Sequence, residues 1–266
     1  MKNEAMISSQ KSWRKPRQAN GQALCHSMLT KRFLIKISGE ALAGASGVGV
    51  DHAALDWIGR EIAQAAAIAQ IAVVVGGGNF MRGNTNQLPL TRVSADYVGM
   101  LATVMNSVYL EQWLKAADID SALFSSLRLH PQIETYSAGA AITALENGRV
   151  AILAGGTGNP YFTTDTTAAL RALEINASTL VKATNVDGIY NSDPAKDPAA
   201  SRYQEIDYDT AIVKDLKVMD GTAFALCRSN NMPIRVVNLN TRGNLQRVVE
   251  GDAVGTLVIK SGEQDA

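Results

Sequence analysis

The chain has 266 residues, of which 46% are hydrophobic and 19% charged, a composition typical of a globular protein with a full core and not of a disordered or fibrous one. The net charge is zero, but residues 1–32 hold seven bases and one acid, which leaves 18 bases against 24 acids in the rest. This acidic body argues against a nucleic-acid-binding protein, and no apolar run approaches the ~18 residues that indicate a membrane-spanning helix.

Residues 1–30 form a basic segment that we expect to be a disordered arm. The segment lacks the apolar stretch and small-residue cleavage site of a secretory signal. Two other interpretations stay open: translation starting at Met28, and a weak transit peptide. Residues 261–266 are predicted to be a tail. The two cysteines, Cys25 and Cys227, predict neither a disulfide framework nor a zinc site, and they favour a reducing compartment such as the cytoplasm.

From residue 33 onward, short apolar runs rich in β-branched residues predict strands. They are continuous and not alternating, as in strands that are buried on both faces. The predicted strands are residues 33–37, 71–75, 121–124, 150–154, 179–183, 234–239 and 256–259.

Amphipathic segments between these runs predict helices. Asp51 is expected to cap a helix with apolar positions at Leu55, Ile58, Ile62, Ala65, Ala66 and Ala69. Ser94 is expected to cap another, with an apolar face formed by Leu101, Val104, Met105, Val108 and Tyr109. Strands alternating with helices predict an α/β fold with a mostly parallel open sheet and helices on both sides, and ligands of such sheets bind at the carboxyl ends of the strands.

Small-residue loops follow three of the predicted strands. They begin at Ser38-Gly39, at Gly76-Gly77-Gly78 and at Gly155-Gly156, and Lys36 and Arg82 lie beside the first two. Backbone N–H groups of such loops approach anions closely, although a tight turn alone would also explain any single loop. Three of them at one sheet edge predict a phosphate site.

Familiar phosphate and hydrolase motifs are absent from the sequence. No Gly-Lys dipeptide forms a Walker A loop, Met81 replaces the last glycine of a dinucleotide-binding GxGxxG, and no protein kinase motif occurs. None of the three histidines follows a glycine-rich strand end, which argues against nucleophilic hydrolase chemistry.

Six sequence blocks together resemble the bacterial uridylate kinase (UMP kinase) family of the amino acid kinase superfamily. The blocks are KISGEAL at 36–42, GGGNFMRG at 76–83, MLATVMN at 100–106 preceded by Asp96, TGNPYFTTD at 157–165, KATNVDGIY at 182–190 followed by Asp193, and KVMD at 217–220. The resemblance extends from about residue 31 to residue 259. TGNPYFTTD is specific to the uridylate kinases, whereas the glycine-rich loops are shared with acetylglutamate and aspartate kinases.

The resemblance implies transfer of the γ-phosphoryl group of MgATP to UMP, with Mg²⁺ brought by ATP and no metal ligand assigned to the protein. It implies a three-layer α/β/α sandwich of the amino acid kinase fold over residues 31–260, with a nucleoside monophosphate lobe followed by an ATP lobe. It also implies a homohexamer with GTP and UTP as effectors, and neither nucleic acid nor membrane as a partner.

The resemblance assigns roles to residues at matching positions. Lys36, Arg82 and Asp165 are the expected catalytic residues. Those expected to bind ATP are Lys36, Ser38, Gly39, Gly78, Arg82, Lys182, Thr184, Tyr190 and Asp193. Those expected to bind UMP are Gly77, Asp96, Thr157, Gly158, Asn159, Pro160, Tyr161, Phe162, Thr163 and Thr164. The segment tied to GTP is Gly44, Ala45, Ser46, Gly47, Val48 and Gly49.

Elementary chemistry supports several of these roles. Phosphoryl transfer needs mainly positioning and positive charge, which Lys36 and Arg82 supply. Asp165 is expected in the first turn of a helix, where it either stabilises the helix dipole or organises Lys36 or magnesium. Asp96, expected in the first turn after Ser94, has the same structural alternative, but its carboxylate can also accept hydrogen bonds from two ribose hydroxyls.

Two positions depart from the family pattern. The family often has a lysine at the position of Asn185 and an acid at the position of Ser178, so we expect a different charge around the transferred phosphate. Two other functions remain as alternatives: a kinase of the same fold that phosphorylates a carboxylate, and a nucleotide-binding storage or regulatory protein without turnover.

Overall fold

The computed structural model describes residues 31–81, 89–129, 131–192, 194, 196–197 and 199–261. Within this part of the chain, one sheet contains all the strands longer than a single bridge. These are β1 (Arg32–Ile37), β2 (Gln70–Val75), β3 (Ser121–Ser125), β4 (Glu134–Thr135), β5 (Val150–Ala154), β6 (Thr179–Thr184), β7 (Glu205–Asp207), β8 (Ile234–Asn238) and β9 (Thr256–Ile259).

The helices lie between the strands in the alternating order that the sequence predicted. They are α1 (His52–Ala66), α2 (Arg92–Ala116), α3 (Ala138–Glu146), α4 (Thr164–Glu174), α5 (Tyr208–Val213), α6 (Gly221–Ser229) and α7 (Asn244–Glu250). Two 3₁₀ turns, Gly39–Leu42 and Gly44–Ser46, follow β1. Among the described helices, none is both long enough and apolar enough to cross a membrane.

The strands lie in the order β4-β3-β5-β2-β1-β6-β8-β9-β7. All neighbouring pairs are parallel except β8 and β9, so the two outermost strands on that side, β9 and β7, run against the others. β1 is central, with β2 on one side and β6 on the other. The predicted α/β class with a mostly parallel sheet is therefore confirmed.

Hydrophobic clusters cover both faces of the sheet. On β1, Leu34 belongs to one cluster, while Ile35 and Ile37 belong to the other, because successive side chains of a strand point to opposite faces. Lys36 consequently shares the face of Leu34, and the small residues Ala168, Ala169 and Ala172 of α4 pack in the cluster on that face. This packing brings the beginning of α4 close to the end of β1.

All seven predicted strands are confirmed to within one residue at each end, and β4 and β7 are additional. The predicted cap at Asp51 is also confirmed, since its side chain accepts a hydrogen bond from the amide of Ala54 at 2.8 Å. The predicted cap at Ser94 is wrong. Thr91 caps α2 by accepting from the Ser94 amide at 3.2 Å, so Ser94 lies inside the first turn and Asp96 in the second.

The predicted apolar face of α2 is divided between core and surface. Val104 is buried, but the other four members are 36–51% exposed. Together with three further residues at helical spacing they form a surface that we call the α2 stripe, which consists of Val93, Tyr97, Val98, Leu101, Met105, Val108 and Tyr109. Of the five residues predicted to form the apolar face, only Val104 contributes to the core, because the helix side that packs on the sheet is rich in smaller and polar residues such as Ala102, Asn106 and Ser107.

Candidate active site

The carboxyl ends of β5, β2, β1 and β6 lie side by side, and β5, β2 and β1 each continue into one of the three small-residue loops identified in the sequence. Ser38 follows β1, Gly76 follows β2, Gly155 follows β5 and Asn185 follows β6. The parallel arrangement therefore brings the three glycine-rich loops to one edge, where ligands of open α/β sheets bind.

Two lysines and one carboxylate form the charged centre of this edge. Lys36 on β1 and Lys182 on β6 are direct neighbours in the strand register. Asp165, in the first turn of α4, lies between them, with Oδ1 2.7 Å from Lys36 Nζ and Oδ2 2.8 Å from Lys182 Nζ. Lys182 Nζ also donates to the carbonyl oxygen of Val218 at 2.6 Å. We call Lys36, Asp165 and Lys182 the charged triad.

The electrostatics of the triad keep the carboxylate ionised. Burial of Asp165 works to raise its pKa, but the ammonium groups of Lys36 and Lys182 outweigh burial, so the pKa lies below its usual value. One carboxylate between two ammonium groups leaves one positive charge uncompensated, and this charge favours an anionic ligand.

The loops after β1 and β2 approach each other so closely that only glycine fits at Gly39. A Cβ atom there would lie 2.5 Å from Asn79 Oδ1 and 2.6 Å from the Gly76 carbonyl oxygen. The buried Asn106 of α2 donates through Nδ2 to that carbonyl oxygen and to Asn79 Oδ1, both at 2.7 Å. Gly78 faces more open space, with Glu40 Oε1 as the nearest atom to its missing side chain, at 3.5 Å.

Several residues of the predicted ATP site line one cavity of about 490 Å³. They are Lys36, Ser38, Lys182 and Thr184, with Asn185 and Asn240 beside them. Tyr190 is not part of this lining; its hydroxyl donates to Asp187 at 2.7 Å. Arg82 and Asp193, which were predicted to bind ATP, lie outside the described residues, as does any contact between Arg82 and the triad.

Some of the predicted UMP residues lie between α2 and the start of α4. Asp96 Oδ2 accepts from the Tyr161 amide at 2.7 Å, which joins α2 to the loop of residues 155–163. Thr163 caps α4, and a Cβ atom on Gly76 would lie 3.5 Å from Thr164 Oγ1. Gly77 packs against α2, where a Cβ atom would lie 2.6 Å from the Gly99 carbonyl oxygen.

Asp96 already has protein partners in this structure. Arg92 Nε donates to both of its carboxylate oxygens, at 2.9 and 2.8 Å, and the Arg92 guanidinium lies 5.4 Å from the centre of the Tyr161 ring. Tyr161 has a positive φ of 72°, an uncommon conformation for a residue with a side chain. A sugar hydroxyl that binds Asp96 therefore has to share the carboxylate with Arg92 or replace it.

Three residues on the far side of the same loop line a different cavity. Thr157, Asn159 and Phe162 border a groove of about 530 Å³ whose other walls come from α4 and α6. Asp96 and Gly77 are not part of its lining. The loop thus has one side towards α2 and another towards α6, and the structure does not gather all the predicted UMP residues around one cavity.

The segment of residues 44–49 lies beside the charged edge. Asn79 Nδ2 donates to the Gly49 carbonyl oxygen at 2.6 Å, and the Gly49 amide donates to the Asn79 carbonyl oxygen at 3.0 Å. Val48 is 71% exposed. The segment is therefore bound at one end to the glycine-rich loop after β2, while its tip is open.

The prediction that Ser178 affects the charge at the transferred phosphate is wrong. Ser178 precedes β6, and its amide and hydroxyl both donate to the Arg32 carbonyl oxygen at the start of β1. The six residues of β6 place it about 20 Å from the carboxyl end of the strand, at ~3.3 Å per residue. Asn185, in contrast, lies at the cavity.

Sequence reasoning missed two residues that support the site. Asp220 caps α6 and accepts hydrogen bonds from the hydroxyls of Thr163 and Thr166, which joins α6 to the start of α4. Asp220 is the last residue of the block at residues 217–220, but that block alone does not predict its role as a cap. Arg171, buried near the end of α4, had no signal in the sequence.

Comparisons with known proteins agree with this geometry. The sequence profile of the Amino acid kinase family matches residues 31–238. The fold is similar to the crystal structure of UMP kinase from Bacillus anthracis, with 33% identity, a TM-score of 0.84 and coverage of 87% of this chain and 97% of the other.

Two further solved structures are similar. UMP kinase from Ureaplasma parvum is 35% identical, with a TM-score of 0.83 and coverage of 88% of this chain and 100% of the other. Uridylate kinase from Archaeoglobus fulgidus is 26% identical, with a TM-score of 0.65 and coverage of 85% and 99%.

Proposed function

The chain belongs to the amino acid kinase family, and from this premise we propose that it is a UMP kinase, which transfers the γ-phosphoryl group of MgATP to UMP and releases UDP and ADP. The charged triad is the observation that carries the proposal. It lies at the carboxyl edge of the sheet, where Lys36 and Lys182 line the same cavity as Ser38 and Thr184. Two of the solved structures to which the chain is similar, at 33% and 35% identity, are UMP kinases.

The triad has the properties that phosphoryl transfer requires. Negative charge spreads over the equatorial oxygens of the transferred group, and fixed cations stabilise it. Lys36 and Lys182 supply two such cations, and Asp165 holds both ammonium groups in place before substrate binds. We assign Asp165 the role of an organiser of the lysines, and we expect the backbone amides of Gly39 and Gly78 to donate to phosphate oxygens.

Mg²⁺ is expected to enter with ATP. The described residues contain no group of three or more His, Cys, Asp or Glu side chains that could hold a metal ion. Mg²⁺ keeps several waters and takes its remaining ligands largely from substrate phosphates. When bound, Mg²⁺ neutralises charge on the β- and γ-phosphate oxygens.

The substrate assignment favours a nucleotide over a carboxylate. A kinase of this fold that phosphorylates a carboxylate would need basic groups at the acceptor site, whereas residues 157–164 offer hydroxyls, an amide and aromatic rings. A storage or regulatory protein without turnover would not need two lysines held by a buried carboxylate. No observation on the described residues favours either alternative.

The direct test is to incubate the protein with MgATP and, separately, UMP, CMP, acetylglutamate or aspartate, and to measure ADP release. We expect turnover with UMP well above that with the other three acceptors. Lys214→Met is the matched control for a Lys36→Met variant, because Lys214 follows α5 and donates to the Tyr203 hydroxyl. UMP-independent ADP release, or turnover with acetylglutamate or aspartate in preference to UMP, would refute the proposal.

We further propose that the protein acts in pyrimidine nucleotide biosynthesis as a homohexamer that responds to GTP and UTP. The α2 stripe supports assembly, because seven large apolar residues along one helix form a surface of the kind that marks protein contacts. The segment of residues 44–49 supports an effector site, since Asn79 connects it to the glycine-rich loop after β2. Initial rates at fixed UMP and ATP over a GTP and a UTP series test the response; rates indifferent to both nucleotides would refute it.

A further inference from the structure

Arg171 lies near the end of α4, is 5% exposed and has partners on several sides. Its Nη1 lies 2.6 Å from Glu174 Oε2, and its guanidinium lies 3.9 Å from the centre of the Tyr136 ring. The Tyr136 hydroxyl donates to the same Glu174 oxygen at 2.6 Å. Glu174 and the Tyr136 ring therefore fix both the position and the plane of the guanidinium, whose donors have a rigid planar arrangement.

The other end of the guanidinium is directed at the loop after β5. Arg171 Nη2 donates to Ser126 Oγ at 2.7 Å and to the Gly156 carbonyl oxygen at 3.3 Å. Ser126 Oγ in turn donates to the same carbonyl oxygen at 2.8 Å. The Gly156 carbonyl oxygen therefore receives one hydrogen bond directly from Arg171 and another through Ser126.

The segment that these bonds hold has little regular structure of its own. Gly155, Gly156 and Gly158 all have positive φ, which glycine adopts without steric cost. Glycine also loses more conformational freedom on ordering than other residues do, so a segment rich in glycine depends on external contacts to stay in one conformation. From the opposite side, the Gly155 amide donates to Thr103 Oγ1 of α2 at 2.9 Å. The turn at residues 155–156 is held between α2 on one side and Arg171 with Ser126 on the other.

We propose that Arg171 is a positioning residue for the UMP-binding loop, acting through Ser126 and the Gly156 carbonyl oxygen. The loop of residues 157–164 begins at this carbonyl group, so a shift there moves every side chain that follows up to the cap of α4. The contacts of Arg171 include neither lysine of the charged triad. Its effect is therefore on the acceptor nucleotide and not on ATP. The inference rests on the proposed function for the identity of that nucleotide.

Three variants separate positioning from general stability. Ser126→Ala removes the relay and leaves the Arg171–Glu174 ion pair. Arg171→Lys keeps the positive charge but loses the planar fork. Glu174→Gln is the matched control, since it removes the negative charge of the ion pair, while the amide oxygen of glutamine can still accept from Arg171 and Tyr136 and so keep the guanidinium directed at Ser126 and Gly156.

We expect Ser126→Ala and Arg171→Lys each to raise the KM for UMP about five-fold or more, the size of one lost hydrogen bond of ~1 kcal/mol, with the KM for ATP changed less than about two-fold. Glu174→Gln is expected to lower the melting temperature while the KM for UMP stays within about two-fold. Unchanged KM values for UMP in Ser126→Ala and Arg171→Lys would overturn the proposal, as would an equal rise in Glu174→Gln.

Hydrogen–deuterium exchange tests the positioning independently of turnover. The amides of residues 155–162 are expected to exchange faster in Ser126→Ala and Arg171→Lys than in the wild type and in Glu174→Gln. Equal exchange in all four proteins would overturn the proposal even if the enzyme is active. Faster exchange in a protein that does not phosphorylate UMP would support positioning of the loop and refute the proposed substrate.

Discussion

Asp165 shows how one side chain can set the chemistry of a whole sheet edge. Two lysines on adjacent strands repel each other, and the Asp165 carboxylate between them lowers that repulsion before any ligand is present. A carboxylate so placed has to be held rigidly, and the first turn of α4 does this because Thr163 caps the helix and Asp220 binds Thr163 and Thr166.

The Lys36→Met variant tests the cationic role directly. We expect kcat to fall on the order of 10²-fold or more, because the lysine acts on charge that develops in the transition state. The thermal unfolding temperature should change little, since methionine fills a similar volume beside Asp165, which keeps Lys182 as a partner. The surface variant Lys214→Met should match the wild type in both measurements.

A near-normal kcat in Lys36→Met would show that Lys182 or Arg82, and not Lys36, makes the main contact with the transferred phosphate. A large loss of kcat in Lys182→Met would then indicate Lys182, and a near-normal kcat in that variant would indicate Arg82.

Asp96 is expected to select ribose over deoxyribose. In the wild type we expect UMP to be phosphorylated in preference to dUMP, because a missing hydroxyl leaves a carboxylate oxygen without the partner that the substrate supplies. Asp96→Asn should reduce the ratio of kcat/KM for UMP to that for dUMP, mainly by raising the KM for UMP. The measurement is steady-state kinetics with both nucleotides at saturating ATP.

Arg92→Lys is the companion variant, because it perturbs the pairing of Asp96 without removing the carboxylate. It should keep the preference for UMP. Equal turnover of UMP and dUMP by the wild-type protein would contradict the role assigned to Asp96.

Among the helices, α2 shows how a helix start depends on one hydroxyl. Thr91→Ala should destabilise the protein by about 1 kcal/mol, because the first turn of α2 loses the side-chain acceptor of the Ser94 amide. Ser94→Ala should have a smaller effect, since its backbone amide remains capped. Urea denaturation of both variants at one protein concentration checks this, and a larger loss in Ser94→Ala would show that Ser94 provides the cap after all.

The elements that the sequence predicts well are those with a strong local signal. Residues 150–154 and 256–259 form strands with the predicted bounds, because short, continuous apolar runs that contain β-branched residues are typical of strands buried on both faces of a sheet. β4 and β7 have only two and three residues, and they form because they pair with β3 and β9, which no local sequence pattern predicts. The start of α2 was misplaced by three residues because Thr91 and Ser94 have equivalent capping chemistry.

The site was predictable in its residue types and only partly in its geometry. Glycines after strands indicated the phosphate loops, and the position of Asp165 at a helix start was correct. The pairing of Lys36 with Lys182 follows from the register of β1 and β6, which no local pattern determines. Arg171 acts through contacts with residues 45 and 15 positions away, Ser126 and Gly156, and such contacts leave no periodic trace in a single sequence.

For the whole molecule, the α2 stripe predicts the mode of assembly. Met105 is 45% exposed near the middle of the stripe. If copies meet through this stripe as proposed, Met105→Glu places a charge in their contact and should reduce the molar mass measured by size-exclusion chromatography with light scattering. Val213→Glu, at an 83% exposed position at the end of α5, is the control and should leave the mass unchanged. A monomeric wild-type protein would contradict the hexamer and leave the kinase assignment in place.

The order of the strands also limits how this chain can meet other chains. Within the described residues the sheet is bordered by β4, of two residues, and by β7, of three. An edge this short offers very few free backbone groups to an incoming strand, and natural proteins use short edge strands to prevent sheets from joining edge to edge. We therefore expect the folded chain to resist growth of the sheet from molecule to molecule.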